Sequence, residues 1–77
     1  MNILLTGAGG VYVKHLIERL DKKLFDQIVI VDNDFNSIKK VKADYKYKVP
    51  LGDKKSFLPK ILKIINKHNI KVLVSVV

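Results

Sequence analysis

Apolar residues along this chain are arranged either in unbroken short runs or at helical spacing. The run Ile3–Leu5 ends at Thr6 and Gly7, and the run Ile28–Val31 is apolar and β-branched at every position. A strand without polar alternation is buried on both faces, which is typical of a parallel sheet covered by helices. The pattern therefore predicts two central strands.

Two segments have the apolar spacing of amphipathic helices. In the first, one face carries Val13, Leu16, Ile17, Leu20 and Leu24. In the second, the residues predicted to point inward are Leu58, Ile61, Leu62 and Ile65, and the outward lysines are Lys60, Lys63 and Lys67. Pro59 fits only in a first turn, so Ser56 is the expected N-cap with Asp53 as the rival, and Asn69 suits the helix end.

Three further features complete the predicted order of elements. Phe35 and Ile38 indicate one helical turn, and tyrosine and lysine alternate over residues 45–49, as in a sheet edge protected by lysines. The segment 70–77 is apolar on both faces and is predicted to be the last strand. With right-handed crossovers, this order predicts an α/β, three-layer Rossmann-like fold, with a four-stranded parallel sheet of order 3-2-1-4 and helices on both faces.

The composition is that of one small globular domain. The chain has 77 residues, of which 48% are hydrophobic and 29% charged, and it has no cysteine. Disulfide bonds and thiolate metal sites are thereby excluded. No apolar run approaches the ~20 residues of a membrane span and no secretory signal is visible, so we expect a cytoplasmic protein without a membrane partner.

The net charge of +8 raises nucleic acid as a partner. All the basic residues except Arg19 are lysines, however, and they are interleaved with acidic residues. Specific recognition of phosphates and bases favours the planar fork of arginine. A solvated, lysine-rich surface is therefore the expected interpretation, and no nucleic-acid partner is predicted.

The glycine-rich segment after the first strand allows two interpretations. Dinucleotide sites use G-x-G-x-x-G, but after Gly7 and Gly9 the third position is Tyr12, and the related T-G-x-x-G-x-x-G spacing fails at Val13. The glycines either permit a strand-to-helix turn with positive φ, or leave amide groups at a helix N-terminus to bind an anion weakly. The candidate site comprises Gly7, Ala8, Gly9, Gly10 and Val11.

Two carboxylates extend this candidate site. Asp32 ends the second strand, where dinucleotide sites hold the ribose, and Asp34 follows it, although "VDND" is equally typical of a strand end followed by a helix cap. His15 is expected on the surface of the first helix. His68 is expected at the C-terminus of the second helix, where it would interact with the helix dipole. No catalytic arrangement and no metal site can be assembled, so no catalytic residue and no metal ligand is predicted.

Four pieces of the sequence carry a family resemblance: "MNILLTGAGG", "VDND", "ADYKYKVPLGD" and "FLPKILKIINKHNIKVLVSVV". Together they resemble the N-terminal, pre-ATP-grasp domain of ATP-grasp ligases, above all those similar to the carbamoyl-phosphate synthase large subunit. The middle piece, which runs into Val49-Pro50-Leu51, is the most specific, and the likeness covers essentially all of residues 1–77. One departure is that relatives often have small residues after GAGG, where this chain has Val11, Tyr12 and Val13.

The resemblance implies that residues 1–77 are one domain of a larger enzyme. Such a ligase joins a carboxylate to an amine, or a similar nucleophile, through an acyl phosphate made with ATP and Mg²⁺. An ATP-grasp domain beyond Val77 would hold the nucleotide and the metal. The present domain would pack against it without a cofactor of its own, would be inactive in isolation, and would line the cleft for a small-molecule substrate with Gly7 to Gly10, Asp32 and Asp34.

Two other functions are also compatible with the sequence. One is the N-terminal part of an NAD(P)-dependent epimerase or dehydrogenase. Tyr12 and Val13 argue against this function, because their bulky side chains stand where the glycine motif needs space. The other is a stand-alone binding module that uses the basic surface. In the strand order 3-2-1-4 the last strand would be an unprotected hydrophobic edge, so we expect a domain fragment that forms a homodimer through residues 70–77.

Overall fold

The computed structural model describes residues 1–52 and 54–75, in seven helices and strands. The strands are β1 (Asn2–Thr6), β2 (Gln27–Asp32), β3 (Tyr45–Lys48) and β4 (Ile70–Ser75). The helices are α1 (Val11–Arg19), α2 (Phe35–Ile38) and α3 (Phe57–Lys67). The side chain of Val11 is not among those described.

Within the described residues the strands form one sheet of order β3-β2-β1-β4, and every neighbouring pair is parallel. Leu4 in β1 is aligned with Val29 in β2 and with Leu73 in β4. The β1–β4 register shifts between Asn2 and Ile3, which leaves Lys71 as an extra residue in β4. The predicted α/β class and strand order are therefore confirmed.

Alternate residues of the central strands enter two separate core clusters. One contains Ile3 and Leu5 of β1 with Val13 and Ile17 of α1 and Ile38 of α2. The other contains the intervening residue of β1, Leu4, together with Val29, Val31, Val49, Ile61 and Ile64. Because successive side chains of a strand point to opposite faces, α1 and α2 cover one face of the sheet and α3 covers the other.

The first helix is shorter than its apolar spacing predicted. It ends at Arg19, and the Asp21 backbone oxygen accepts hydrogen bonds from the amides of Leu24 and Phe25 at 3.0 and 3.1 Å. The Asp21 carboxylate also accepts from the Lys23 amide at 2.8 Å, so this side chain offers the backbone a turn in place of helix. Leu24 therefore lies outside the helix, and both it and Leu16 are exposed, contrary to the predicted apolar face.

The buried face of α3 is also rotated from the predicted one. Ile61 and Ile64 are buried, whereas Leu58 and Leu62 are 60% and 50% exposed. Ser56 does occupy the N-cap position but makes no side-chain capping bond, and its rival Asp53 lies outside the described residues. Asn69, with φ of 50°, ends the helix as predicted.

Candidate functional site

The segment between β1 and α1 is a sharp turn made possible by one glycine. Gly7 has a φ of 65°, which a residue with a side chain rarely adopts, and its carbonyl oxygen accepts from the Gly10 amide at 3.4 Å. The next residue, Ala8, is fully buried, and its amide donates to the Val31 carbonyl at 3.1 Å. The turn therefore directs the chain from β1 across the end of β2 and into α1.

Gly9 is required for a different reason, which is the close approach of α2. A Cβ atom placed on Gly9 would lie 2.6 Å from Cβ of Ser37 and would also clash with its hydroxyl oxygen. The Gly9 amide donates to Oδ2 of Asp32 at 2.7 Å. This glycine thus makes room for packing and hydrogen bonding inside the domain.

The two candidate aspartates organise the same region. Oδ1 of Asp32 accepts from the Asp34 amide at 2.9 Å, so both oxygens of this carboxylate bind backbone N–H groups. Asp34 is the N-cap of α2, and its side chain accepts from the Asn36 amide at 3.1 Å. The Asp34 carbonyl in turn accepts from the Ser37 hydroxyl at 2.6 Å. Of the two interpretations of "VDND", the strand end followed by a cap describes what these residues do.

This geometry argues against an anion at the glycine segment. The Gly9 amide already binds a carboxylate, and that negative charge would repel a phosphate placed beside it. The Gly10 amide is directed to the Gly7 carbonyl. Tyr12 is 82% exposed and so does not separate α1 from the sheet, while Val13 fits in the core. Neither side chain therefore separates α1 from the sheet.

A cleft of about 340 Å³ lies at the carboxyl edge of the sheet. Its lining comes from the ends of β1, β2 and β4, the segment after β3 and the start of α3, and comprises Thr6, Gly7, Asp32, Asn33, Val49, Pro50, Leu51, Gly52, Phe57 and Ser75. The carboxyl ends of parallel strands are where open α/β sheets bind ligands. Of the candidate residues from the sequence, Gly7 and Asp32 line this cleft, whereas Gly9, Gly10 and Asp34 support the adjacent turn.

The lining of the cleft suits binding by hydrogen bonds and apolar contacts. Oγ1 of Thr6 donates to Oγ of Ser75 at 3.3 Å across the ends of β1 and β4. Among the described residues Asp32 is the one ionisable side chain in the lining, and Val49 and Phe57 supply apolar walls. No nucleophile and base lie together among these residues. The described part of the chain also has no group of three or more His, Cys, Asp or Glu residues that could hold a metal ion.

The residues that sequence reasoning missed share a simple signal. Thr6, Asn33 and Ser75 are polar residues at or just after the ends of parallel strands, and such ends converge at one edge of the sheet. Phe57 carries no comparable signal, because only the position of α3 brings it into the cleft.

His68 lies at the opposite, amino edge of the sheet. Its side chain is only 8% exposed, and its Nε2 lies 2.6 Å from the Tyr47 hydroxyl. Its ring packs against Tyr45 with 4.4 Å between centroids, and its carbonyl accepts from the Asn2 amide group at 2.6 Å. Burial, and then the charge of Lys67, lower the pKa of His68, which the simple dipole interpretation did not anticipate.

The remaining predictions from the sequence concern surfaces. His15 is exposed on α1, as predicted. No helix in the described ranges is long and apolar enough to cross a membrane.

In comparisons with known proteins, no protein-family model matches the chain, and no curated protein matches its sequence significantly. Functional inference therefore depends on the residues themselves and on the resemblance they carry.

Proposed function

We propose that this chain is the N-terminal, pre-ATP-grasp domain of an ATP-grasp ligase similar to the carbamoyl-phosphate synthase large subunit, and that it forms one wall of the substrate cleft. The proposal places the chain in the cytoplasm, next to an ATP-grasp domain of the same parent protein. It also makes the isolated chain a binding domain without catalytic activity.

One observation carries this proposal. The sequence pieces that resemble the family lie far apart along the chain, yet all four contribute to the cleft at the carboxyl edge, the last of them through Phe57 and Ser75. "MNILLTGAGG" contributes Thr6 and Gly7, "VDND" contributes Asp32 and Asn33, and "ADYKYKVPLGD" contributes residues 49–52. The carboxyl ends of the parallel strands bring these pieces together at the edge where open α/β sheets bind ligands.

The chemistry of the cleft agrees with a supporting role. In the parent enzyme, ATP and Mg²⁺ would supply the acyl phosphate, and the ATP-grasp domain would hold both of them. The residues described here have no cluster of ligands suited to Mg²⁺, which prefers carboxylate oxygens together with substrate phosphates. What they offer is a partly apolar wall with hydroxyl, amide and carboxylate groups, which can orient a small acid or amine.

The runner-up is an NAD(P)-dependent epimerase or dehydrogenase. In its favour, Asp32 stands beside the glycine segment at the end of β2, as the ribose-binding acid does in dinucleotide sites. Against it, both Asp32 oxygens already accept backbone amides, one of them from Gly9. A dinucleotide would have to compete with these bonds.

Calorimetric titration separates the two functions. With NAD, NADP and ATP-Mg²⁺ we expect no binding to the 77-residue chain tighter than about millimolar, the strength of a few isolated hydrogen bonds. A micromolar isotherm with NAD or NADP, accompanied by amide shifts at Gly7 and Asp32 in an NMR titration, would establish the dehydrogenase in place of the ligase.

The gene supplies a second, independent check. The reading frame should continue past the codon for Val77 for the length of an ATP-grasp domain. In the product of that complete frame, Asn33→Ala should raise the KM for the acid or amine substrate and leave the KM for ATP unchanged, as measured by ADP release. An effect on the KM for ATP alone would place this wall at the nucleotide instead.

A further inference from the structure

A second pocket, of about 500 Å³, adjoins the cleft. Three lysines from different parts of the chain line it: Lys48 at the end of β3, Lys54 in the following loop and Lys60 in α3. Asn33 and Ser56 add polar groups, and Val49, Pro50 and Leu51 complete the lining. The two cavities share Asn33 and the segment 49–51.

The electrostatics of this lysine pocket differ from those of the cleft. Among the residues that the structure describes, its lining includes three lysines and no aspartate or glutamate, whereas Asp32 is in the lining of the cleft. Within residues 1–52 and 54–75 the ion pair that forms is between the Met1 amino group and Asp26, far along the sequence from these lysines. The positive charges of three lysines that line one cavity repel one another, and a bound anion would relieve that repulsion.

The start of α3 reinforces the positive potential. Its first turn has no acidic side chain, and Ser56 makes no side-chain capping bond. The positive end of the helix dipole is therefore not neutralised within the described residues, and it lies at the same pocket as the three lysines. The 11-residue length of the helix is sufficient for this dipole to develop.

The size and the residue types favour a small ligand over a nucleic acid. A volume of about 500 Å³ is within the range of small-molecule sites. In the part of the chain that the structure describes, no arginine and no aromatic side chain lines the pocket, so it lacks the groups that stack on bases or bind phosphates in a fork. Lysine, by contrast, binds phosphate as a compact point charge.

We propose that the pocket of Lys48, Lys54 and Lys60 binds a small polyanion, a metabolite carrying phosphoryl groups or several carboxylates, whose uncharged part extends past Asn33 toward the cleft. The site does not depend on the ligase function, because it is defined by charge and shape alone. It would equally serve a regulatory ligand or the anionic end of a substrate.

Inorganic pyrophosphate is the probe for this site. Amide shifts in an NMR titration at an ionic strength of about 0.15 M should cluster on residues 48–60 and Asn33. The double variant Lys54→Gln/Lys60→Gln should bind at least tenfold more weakly than the unmodified chain. A matched control, Lys23→Gln/Lys63→Gln, removes the same charge from lysines that do not line the pocket and should change affinity less than twofold.

Several outcomes would overturn the proposal. Equal weakening in the two double variants would mean diffuse attraction by net charge, and shifts centred on Gly9 and Gly10 would return the anion to the glycine turn. Tighter binding of a single-stranded oligonucleotide, with a footprint beyond this pocket, would indicate a nucleic-acid surface. Circular dichroism of both variants checks folding, which these exposed lysines do not control. Pyrophosphate binding is expected whichever enzyme class is correct, and a dinucleotide site is distinguished from this pocket by amide shifts at Gly7 and Asp32 in place of residues 48–60.

Discussion

Alanine at Gly9 tests whether the glycine turn is shaped by packing inside the domain or by a ligand. The added methyl group would lie 2.6 Å from Cβ of Ser37 and 3.0 Å from Oδ2 of Asp32. Non-bonded heavy atoms prefer about 3.5–4.0 Å. The Ser37 hydroxyl can rotate away, but its Cβ is fixed to the backbone of α2, so the short helix itself must shift by about 1 Å.

The expected loss of stability follows from that displacement. Overpacking of this kind costs about 1–3 kcal/mol, and the hydrogen bond from the Gly9 amide to Asp32 would be strained as well. For a domain of this size each kcal/mol lowers the midpoint of thermal unfolding by about 4–8 °C. Thermal denaturation followed by circular dichroism should therefore show a drop of at least several degrees.

Two further variants make the test specific. Gly52→Ala is the matched control, because a Cβ at Gly52 meets no atom within 4 Å, and it should leave stability unchanged or slightly raised. Ser37→Gly costs about 1 kcal/mol alone but should restore part of the stability of Gly9→Ala, since it removes the clashing atoms. A Gly9→Ala protein as stable as the parent, or strictly additive losses in the double variant, would refute the packing explanation.

Two other predictions concern His68 and β4. Burial lowers the pKa of His68, so the folded state favours the neutral imidazole. The contribution of His68 to stability is therefore complete above its ordinary pKa of about 6.5 and is lost as the pH falls toward its lowered pKa in the folded protein. The loss is at most about 1.4 kcal/mol per pH unit. Urea denaturation between pH 7.5 and 5.5 should show this loss in the parent but not in His68→Gln; equal slopes would contradict it. Self-association through β4 should weaken in Leu73→Lys, as measured by light scattering at several concentrations, and a chain that is monomeric at all of them would contradict the prediction.

The sheet could be predicted from the sequence because its signals are local. Unbroken β-branched runs identify strands that are buried on both faces, and the handedness of crossovers then leaves few strand orders. The lysine alternation over Tyr45–Lys48 likewise identified the edge strand β3. None of these conclusions required knowledge of distant contacts.

The helix faces could not be predicted as well, because more than one apolar stripe fits the sequence. Two sets of positions in α3 and at its C-cap are apolar or aromatic enough to be buried. The first is 58, 61, 62 and 65, and the second is 57, 61, 64 and 68. The second set is buried or half-buried in the structure, since His68 packs against the tyrosines of β3. That contact joins residues about twenty positions apart, and periodicity contains no information about it.

The sequence placed the candidate site at the carboxyl edge of the sheet, where the cleft lies, but could not show which atoms there are free to bind a ligand. Glycines before a helix suggested a free anion site, yet the Gly9 amide is bound to Asp32 and the Gly9 hydrogen faces Ser37. Sequence spacing shows that Asp32 ends a strand next to the turn. Whether its carboxylate faces a ligand or the protein's own backbone depends on how closely α2 approaches, which only the structure reveals.

The rotation of α3 explains why β4 is the edge at which a second copy is expected. Lys60 lines a pocket with Lys48, and the Lys67 ammonium lies 5.7 Å from the Tyr47 ring, so this flank of the helix faces β3. Leu58 and Leu62 are on the opposite flank and therefore face β4, where Leu73 is 51% exposed. Leu73 is aligned with Leu4, which belongs to the cluster beneath α3, so Leu58, Leu62 and Leu73 share one face of the sheet.

Among the described residues β4 pairs only with β1, and antiparallel pairing of two β4 strands would satisfy both backbones. Such pairing would also bring the leucines of the two copies together, at about 1 kcal/mol or more for each half-exposed leucine that becomes buried.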